Sequence, residues 1–137
     1  IDFNETYAKA ITLDATKKTQ PHDLKVLVET AIRVKRLAEK AVPSSINPEL
    51  FELPIEIETW NQYRENFHLP FQEAIREKHF GKAIDHLISF CPSISTYFEA
   101  VLIMDKRLEV QGNRLAFLST LHEAFSKLAD FEKIVLD

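Results

Sequence analysis

The sequence predicts an all-α domain, a bundle of about five to seven helices. Apolar residues recur three or four positions apart through most of the chain, which is the spacing of one buried helix face. Only two glycines occur among 137 residues, so β-hairpin turns and a glycine-rich phosphate loop are both disfavoured. A hydrophobic content of 45% supplies the core of a single domain over residues 1–137.

The chain is expected to be a piece of a longer, soluble and cytoplasmic protein. It begins with Ile1 rather than methionine, and its first residues already carry an apolar pattern. The single cysteine, Cys91, excludes an internal disulfide and fits a reducing compartment. No apolar run approaches the roughly 18 residues that span a bilayer. No targeting leader is visible either, so no membrane contact is expected.

Two helices are predicted in the first third of the chain. The first covers Asp2 to Thr16. Its apolar face comprises Phe3, Tyr7, Ala10 and Ile11. Pro21 suits the first turn of the second helix, whose continuous apolar stripe covers residues 24–41. Two prolines and two serines make residues 42–48 a linker that closes this helix.

Prolines set the predicted boundaries in the middle of the chain. After a short inward turn, Pro54 is placed in the first turn of a helix that runs to about Phe67. Pro70 is then expected to break or kink the chain near Leu69, because proline restricts the residue before it. The helical pattern resumes as far as His79.

A helical hairpin is predicted over residues 90–130. A short helix over residues 82–90 leads to a tight turn at residues 91–93, so that Pro92 opens the first helix of the hairpin. The second helix carries an apolar stripe over residues 115–129, and the polar run 105–109 separates the two helices. Both apolar faces must be buried against the upstream helices.

No catalytic site and no metal site are expected in this chain. The five histidines do not form the pair, four residues apart with a glutamate between, that a zinc protease needs. Cys91 is expected to be a small, half-buried thiol rather than a nucleophile. Core packing is the main expectation for the aromatic residues. The alternative is that Tyr63, Phe67 and His68 stack an unpaired RNA base.

The net charge of −4 disfavours a protein that holds nucleic acid by its overall charge. Any contact with RNA would therefore require a local basic face, because the local potential recruits phosphate. The second predicted helix carries a cluster of four cations, Arg33, Lys35, Arg36 and Lys40. Such a run is usually a solvated helix face, and the alternative is a ridge that contacts phosphates.

Several runs of residues resemble one protein family. The runs 97–104 (YFEAVLIM), 113–118 (NRLAFL) and 125–130 (FSKLAD) resemble the C-terminus of the β subunit of bacterial-type, tetrameric glycyl-tRNA synthetase, a glycine–tRNA ligase. Upstream, Lys35-Arg36-Leu37 and the segment 47–56 resemble the same family. The resemblance is clearest over residues 31–137. That family ends in a helical anticodon-binding domain of the DALR type, which also occurs in arginyl-tRNA synthetase.

The resemblance implies a domain that grips the anticodon stem-loop of tRNA(Gly). The parent enzyme would attach glycine to this tRNA with ATP and magnesium, on an α subunit or α portion, and the fragment itself would hold no cofactor. Its partners would be the stem-loop, the remainder of the β chain and the α part. Phosphates are contacted by cations and unstacked bases by polar groups. On this basis the expected tRNA-binding residues are Arg33, Lys35, Arg36, Lys106, Arg107, Asn113 and Arg114.

Several alternatives accompany this interpretation. Asn113 can cap its own helix instead of meeting a base, and Arg114 can pair with an acid across the hairpin. The signature that names the family has an acid, two or more further residues and then Leu-Arg, whereas residues 107–111 here are RLEVQ. The roles of that acid and arginine are therefore not carried over. For the whole chain, the alternatives are a helical protein-interaction module without RNA binding, which the acidic charge favours, and the DALR domain of arginyl-tRNA synthetase.

Overall fold

The computed structural model describes residues 3–136, all of them in helices, turns and loops. Within this range the all-α prediction is confirmed. Asp2, which opens the first predicted helix, lies outside the described residues. The helices are α1 (Phe3–Thr19), α2 (Pro21–Ala38), α3 (Pro54–Gln62), α4 (His68–Arg76), α5 (Phe80–Ala100) and α6 (Leu108–Leu128). Single 3₁₀ turns occur at Pro48–Leu50 and Phe131–Lys133, and a π-helical turn covers Tyr63–Phe67.

The core lies between α2, α5 and α6, with α4 packed against α5. The apolar stripes predicted for the second and last helices are buried, because each faces a neighbouring helix. Residues that are almost completely enclosed include Leu24, Leu27, Val34, Ile84, Ile94, Phe117, Leu118 and Leu121. Pro21 and Pro54 occupy the first helical positions that the sequence predicts for them.

α5 passes straight through Pro92 as one helix of 21 residues. The predicted tight turn at residues 91–93 and the separate helix over 82–90 are therefore wrong. A proline inside a helix loses the bond to the carbonyl four residues earlier and costs about 3 kcal/mol. Pro92 is exposed, whereas Phe90, Cys91 and Ile94 beside it are buried. Burial on the inner face of α5 thus outweighs the lost bond on the outer face.

α3 and α4 are continuous through Pro70, so of the two predicted outcomes, a break or a kink near Leu69, the break is wrong. In the π-helical turn before it, the backbone N–H of His68 donates to the carbonyl of Tyr63, five residues earlier. This wider turn changes the register of the carbonyl groups ahead of Pro70 and lets the helix continue. It also directs both Tyr63 and Phe67 into the core.

The aromatic residues of this turn are packed among other rings rather than offered to a nucleic acid. The centroid of Phe67 lies 4.9 Å from that of Phe71 and 4.8 Å from that of Phe90. Tyr63 and Phe67 are 7% and 4% exposed. The alternative in which they stack an RNA base with His68 is therefore wrong.

α1 forms as predicted, but its large apolar residues face outward. Phe3, Tyr7 and Ile11 are 78%, 70% and 51% exposed. The helix instead packs on α2 and α5, with the partly buried Ala8 and Leu13 against the core. Periodicity correctly identifies this helix, whereas the buried side is not the one that carries its largest apolar residues.

α6 begins at Leu108, so the predicted polar turn at residues 105–109 is shorter than expected. Asp105 accounts for this early start. Its carboxylate accepts a hydrogen bond of 2.8 Å from the backbone N–H of Arg107, and its carbonyl accepts one of 3.1 Å from the Gln111 side chain. The connection between α5 and α6 is the segment 101–107, called here the α5–α6 loop.

Over residues 3–136, no helix combines the length and the apolar character needed to cross a lipid bilayer.

Removing the Tyr97 hydroxyl is expected to leave stability unchanged or to raise it. This hydroxyl is buried and has no hydrogen-bond partner among the described residues, and burial raises the pKa of Tyr97 well above its ordinary value. Tyr97→Phe should change the free energy of unfolding, measured with urea, by between zero and about +1 kcal/mol. Phe117→Ala, in the same core, should lower it by about 3–5 kcal/mol. A loss above about 1 kcal/mol in Tyr97→Phe would contradict this description of the core.

Candidate functional site

The structure divides the seven predicted tRNA-binding residues into two groups. Three are exposed and form no ion pair within the described part of the chain: Arg33, Arg36 and Lys106. Four are engaged in contacts with other segments of the domain: Lys35, Arg107, Asn113 and Arg114.

Arg114 is an internal residue of the α6 core face and is only 3% exposed. Its Nε and Nη2 donate to the two carboxylate oxygens of Glu56 at 2.8 Å and 3.1 Å. Its Nη1 donates to the carbonyl of Leu102 at 2.8 Å and lies 3.4 Å from a carboxylate oxygen of Asp105. The guanidinium group is therefore enclosed and fully engaged. The structure contradicts Arg114 as a phosphate contact.

Glu56, the partner of Arg114, lies in the first turn of α3 and is 1% exposed. Its carboxylate also accepts hydrogen bonds from the backbone N–H groups of Glu52 and Leu53, at 2.9 Å and 3.0 Å. Burial opposes its ionisation, but the hydrogen bonds from Arg114 and from these N–H groups outweigh burial and lower the pKa of Glu56. Arg114 and Glu56 therefore form a buried ion pair in which both side chains are charged and neither is accessible to a ligand.

Asn113 fastens the linker after α2 to α6. Its side-chain NH₂ donates to the carbonyl of Asn47 at 3.0 Å, and its side-chain oxygen accepts from the N–H of Asn47 at 2.7 Å. With 5% exposure, this side chain is unavailable to a base. The structure contradicts Asn113 as a base contact.

Arg107 is half-exposed, but two carboxylates hold its guanidinium group. Its Nη2 donates to Glu52 at 2.7 Å and to Asp105 at 2.9 Å. The hydrogen bonds from Arg107 lower the pKa of Asp105 well below its ordinary range, and these acids in turn raise the pKa of Arg107. A phosphate would have to displace both acids, so Arg107 is not the free cation that the prediction assumed.

Lys35 lies at the edge of the buried face of α2. Its Nζ is 3.7 Å from Asp130 and 3.6 Å from Glu132, in the segment that follows α6. Its side chain is 29% exposed. Lys35 therefore stabilises the packing of the C-terminal segment on α2 and is not the exposed cation that the prediction assumed.

The sequence does not predict that Glu52 and Glu56 are the partners of Arg107 and Arg114. Glu52 is 55 positions from Arg107, and Glu56 is 58 positions from Arg114. Local spacing cannot reveal a pair at such a separation, because helix-face rules reach only three or four residues. The only available signal is the proximity of Glu52 and Glu56 to each other at a predicted helix start.

A basic ridge on the outer face of α2 remains open to solvent. It consists of Arg33, Arg36 and Lys40, spaced three and seven residues from the first and so on one helix face. All three are exposed, and none forms an ion pair within the described residues. α2 ends at Ala38, and Glu39 keeps helical backbone angles, so Lys40 lies in the turn that directly follows the helix. Lys40 belongs to the cluster of four cations that the sequence shows on this helix, but it is not among the seven predicted tRNA-binding residues.

The outer face of α2 also has a groove beside the basic ridge. The Cζ atom of Arg33 lies 4.2 Å from the ring centroid of Phe98, in the last turn of α5. A groove of about 540 Å³ runs along the same part of α2. Its lining residues are Glu29, Ile32, Arg33, Arg36 and Leu37. Cations, a guanidinium group above an aromatic ring and a groove therefore occur together on this surface.

Cys91 is a buried free thiol, which makes it less accessible than the half-buried thiol that the sequence predicts. Burial raises its pKa to about 11. A thiol with such a pKa is almost entirely protonated at neutral pH and is a poor nucleophile. Cys91 is therefore a packing residue of α5.

No protein-family model matches the chain. Its sequence is similar to proteins named glycine–tRNA ligase beta subunit. It is 26% identical to the one from Clostridioides difficile strain 630 over 134 positions, 33% to the one from Lactococcus lactis over 141, and 32% to the one from Leuconostoc mesenteroides over 119.

These alignments cover 98%, 97% and 86% of the chain but only 19%, 19% and 17% of the respective relatives. The chain thus spans about a fifth of the length of the relatives that it matches.

Breaking the buried ion pair between Arg114 and Glu56 is expected to lower the stability of the domain far more than breaking the exposed ion pairs of Arg107. Arg114→Met leaves Glu56 buried without its cation and should lower the free energy of unfolding by about 3–5 kcal/mol, as measured with urea. Arg107→Met is the matched control, since its side chain is 57% exposed, and should cost about 1 kcal/mol or less. The double variant Glu56→Leu/Arg114→Met should recover most of the loss. Equal losses for the two single variants would contradict this assignment.

The stability of the domain is expected to fall in acid because of Glu56. Its pKa is lower in the folded chain than its ordinary value of 4.5, so the unfolded chain binds a proton first as the pH falls. The contribution of ionised Glu56 is complete above that ordinary value and is lost as the pH falls towards the folded-state pKa. Urea unfolding at pH values from about 6 to 3 should give a shallower decline for Glu56→Leu/Arg114→Met than for the unmodified chain. Parallel curves would contradict the role of Glu56.

Proposed function

We propose that this chain is the anticodon-binding domain, of the DALR type, of a glycine–tRNA ligase β subunit. In this proposal it grips the anticodon stem-loop of tRNA(Gly) in the cytoplasm. The remainder of the β chain and the α subunit or α portion attach glycine to that tRNA with ATP and magnesium. Support comes from relatives with this name, aligned over nearly the whole chain.

The observation that carries the proposal is the basic ridge on α2. The chain has a net charge of −4, yet three cations project together from one helix face and are not neutralised by ion pairs within the described residues. Phosphates are attracted by such a local potential rather than by net charge. Contact with the ridge would release counterions from the RNA, which is the main source of affinity without sequence preference.

The proposed role is binding and positioning. The arginines nearest the family signature, Arg107 and Arg114, hold the α5–α6 loop in place through Glu52, Glu56 and Asp105. They would contribute indirectly, by fixing the ends of α5 and α6 against which α2 packs. Direct contact with the phosphates is assigned to Arg33, Arg36 and Lys40.

A second candidate function is a helical protein-interaction module, favoured by the outer face of α1. Phe3, Tyr7 and Ile11 are all more than half exposed on one side of that helix, and apolar groups of this size are typical of contact surfaces with other proteins. The two functions differ in salt dependence. Binding through phosphates weakens steeply as salt is added, whereas binding through an apolar face does not.

Reversing the charges of the basic ridge is expected to abolish most of the RNA affinity. The triple variant Arg33→Glu/Arg36→Glu/Lys40→Glu should bind an anticodon stem-loop of tRNA(Gly) more than about tenfold more weakly at low salt. The slope of log affinity against log salt concentration should become shallower by about two, because three phosphate contacts are lost. Fluorescence anisotropy with a labelled stem-loop measures both quantities.

The matched control reverses three exposed lysines on other elements: Lys82→Glu/Lys127→Glu/Lys133→Glu. It changes the net charge by the same amount, and it should keep most of the affinity. Thermal melting by circular dichroism verifies that both triple variants are folded. Equal weakening in the two variants, or no binding by the unmodified chain, would contradict the assignment of RNA binding to the ridge.

A further inference from the structure

The outer face of α1 groups three large apolar side chains in contact with solvent. Phe3, Tyr7 and Ile11 are 78%, 70% and 51% exposed, and their spacing of four residues places them along one side of the helix. Within residues 3–136, each of the other α-helices exposes at most one large apolar side chain. Single exposed apolar residues are ordinary, whereas a group of them marks a contact surface.

The inner side of α1 is already packed on the bundle. It lies against α2 and α5, with Ala8 and Leu13 partly buried against the core. Thr16 is 7% exposed, and its hydroxyl donates to the carbonyl of Thr12 at 2.9 Å. The packing of α1 in this domain therefore does not use the outer face, which remains available to another surface.

The ion pairs of α1 show which chemistry that surface has. Lys9 lies 3.2 Å from Glu5, and Lys18 lies 3.0 Å from Asp14. Lys9 also sits over the ring of Phe80, 5.3 Å from its centroid. Cations that are engaged within their own helix are poor contacts for phosphate. The outer face of α1 thus suits an apolar protein surface.

The size of the face indicates how that protein surface is connected to it. One large aromatic side chain buries about 150–250 Å², so at these exposures the three residues offer on the order of 400 Å². Separate chains that form a stable complex each bury about 800 Å². Interfaces between domains of one chain begin at about 600 Å² for both sides together. The face is therefore large enough for a contact within one polypeptide and small for a contact between two.

The relatives indicate which polypeptide supplies the second surface. Their alignments with this chain cover less than a fifth of each relative, so most of each relative lies outside the aligned stretch. A surface on the same chain acts at an effective concentration in the millimolar range, which favours it over a second copy.

We propose that the outer face of α1 docks against an apolar surface in the remainder of the β chain. The inference rests on the proposed function for the identity of that longer chain. It does not depend on RNA binding by α2, because the basic ridge and the outer face of α1 share no residue.

The test compares the full-length β chain that contains this sequence with the 137-residue chain. Hydroxyl radicals oxidise exposed aromatic side chains, and mass spectrometry measures the rate for each residue. Phe3 and Tyr7 should be oxidised about fivefold more slowly in the full-length chain, because the core of an interface excludes water. Equal rates in the two forms would overturn the inference.

The triple variant Phe3→Ser/Tyr7→Ser/Ile11→Ser removes the apolar face. Serine has about the same helix propensity as the three residues that it replaces. In the full-length chain, trypsin should cleave between the domain and the remainder about tenfold faster, because an undocked domain exposes the connecting segment. In the 137-residue chain the variant should change the melting temperature by no more than about 3 °C, since the substituted residues are exposed.

The matched control is Leu69→Ser/Leu102→Ser/Leu108→Ser. These leucines lie on other segments and are 66%, 66% and 77% exposed, so the control also removes three exposed apolar side chains. It should leave the rate of tryptic cleavage unchanged. Equal acceleration by the two triple variants would overturn the assignment of the contact to α1.

The remaining outcomes separate this inference from the alternatives. Slower oxidation of Phe3 and Tyr7, with faster cleavage only in the α1 variant, supports docking on the remainder of the β chain. Sedimentation of the 137-residue chain as a dimer that the α1 variant dissociates overturns it in favour of a second copy. A lower affinity of the α1 variant for the anticodon stem-loop overturns it in favour of RNA. Loss of ridge-dependent RNA binding, with docking retained, contradicts the proposed RNA-binding role alone.

Discussion

The ion pair between Arg114 and Glu56 is the interaction on which the arrangement of this domain depends. It is enclosed in the core, with 3% and 1% exposure of the two residues. Through it, α6 holds the start of α3, and the same guanidinium holds the carbonyl of Leu102 in the α5–α6 loop. A buried charge without a partner costs several kcal/mol, so the segments that supply these partners are constrained to meet in one way.

This constraint also determines which cations are available to a ligand. Near the α5–α6 loop, Glu52, Glu56 and Asp105 form ion pairs with Arg107 and Arg114. Arg107 is the more exposed of these two arginines, but its guanidinium group is already bound by two carboxylates. On α2, Arg33, Arg36 and Lys40 form no ion pair within the described residues, so their charges remain available to an external partner. A chain with a net charge of −4 thus keeps three cations without ion pairs close together on one side of α2. Local potential of this kind is what RNA recognition requires.

The sequence predicted what local spacing can encode. The stripes of α2 and α6 were recognised because each is continuous and each lies against a neighbour. The breaks that the sequence predicts at Pro70 and Pro92 do not occur, because rules for proline weigh only the lost backbone bond. Burial of Phe90 and Ile94 keeps α5 continuous through Pro92, and the π-helical turn at Tyr63–Phe67 lets the chain continue as a helix through Pro70.

The candidate site was predicted only in part, for a related reason. The basic cluster on α2 is visible from spacing, but Lys35, Arg107 and Arg114 are engaged by acids more than fifty positions away. Arg114 and Asn113 were recognised as special by resemblance, and their special role is to join distant segments. The outward face of α1 was also unpredictable, because an apolar stripe does not reveal whether another helix lies beside it.

Chemical-shift mapping of the ¹⁵N-labelled chain during titration with the anticodon stem-loop of tRNA(Gly) decides whether α2 is the RNA-binding surface. We expect the largest shifts along residues 29–40 and in the last turn of α5, while the amides of residues 105–114 change little. Shifts concentrated in the α5–α6 loop or along α1, with α2 unaffected, would contradict that assignment.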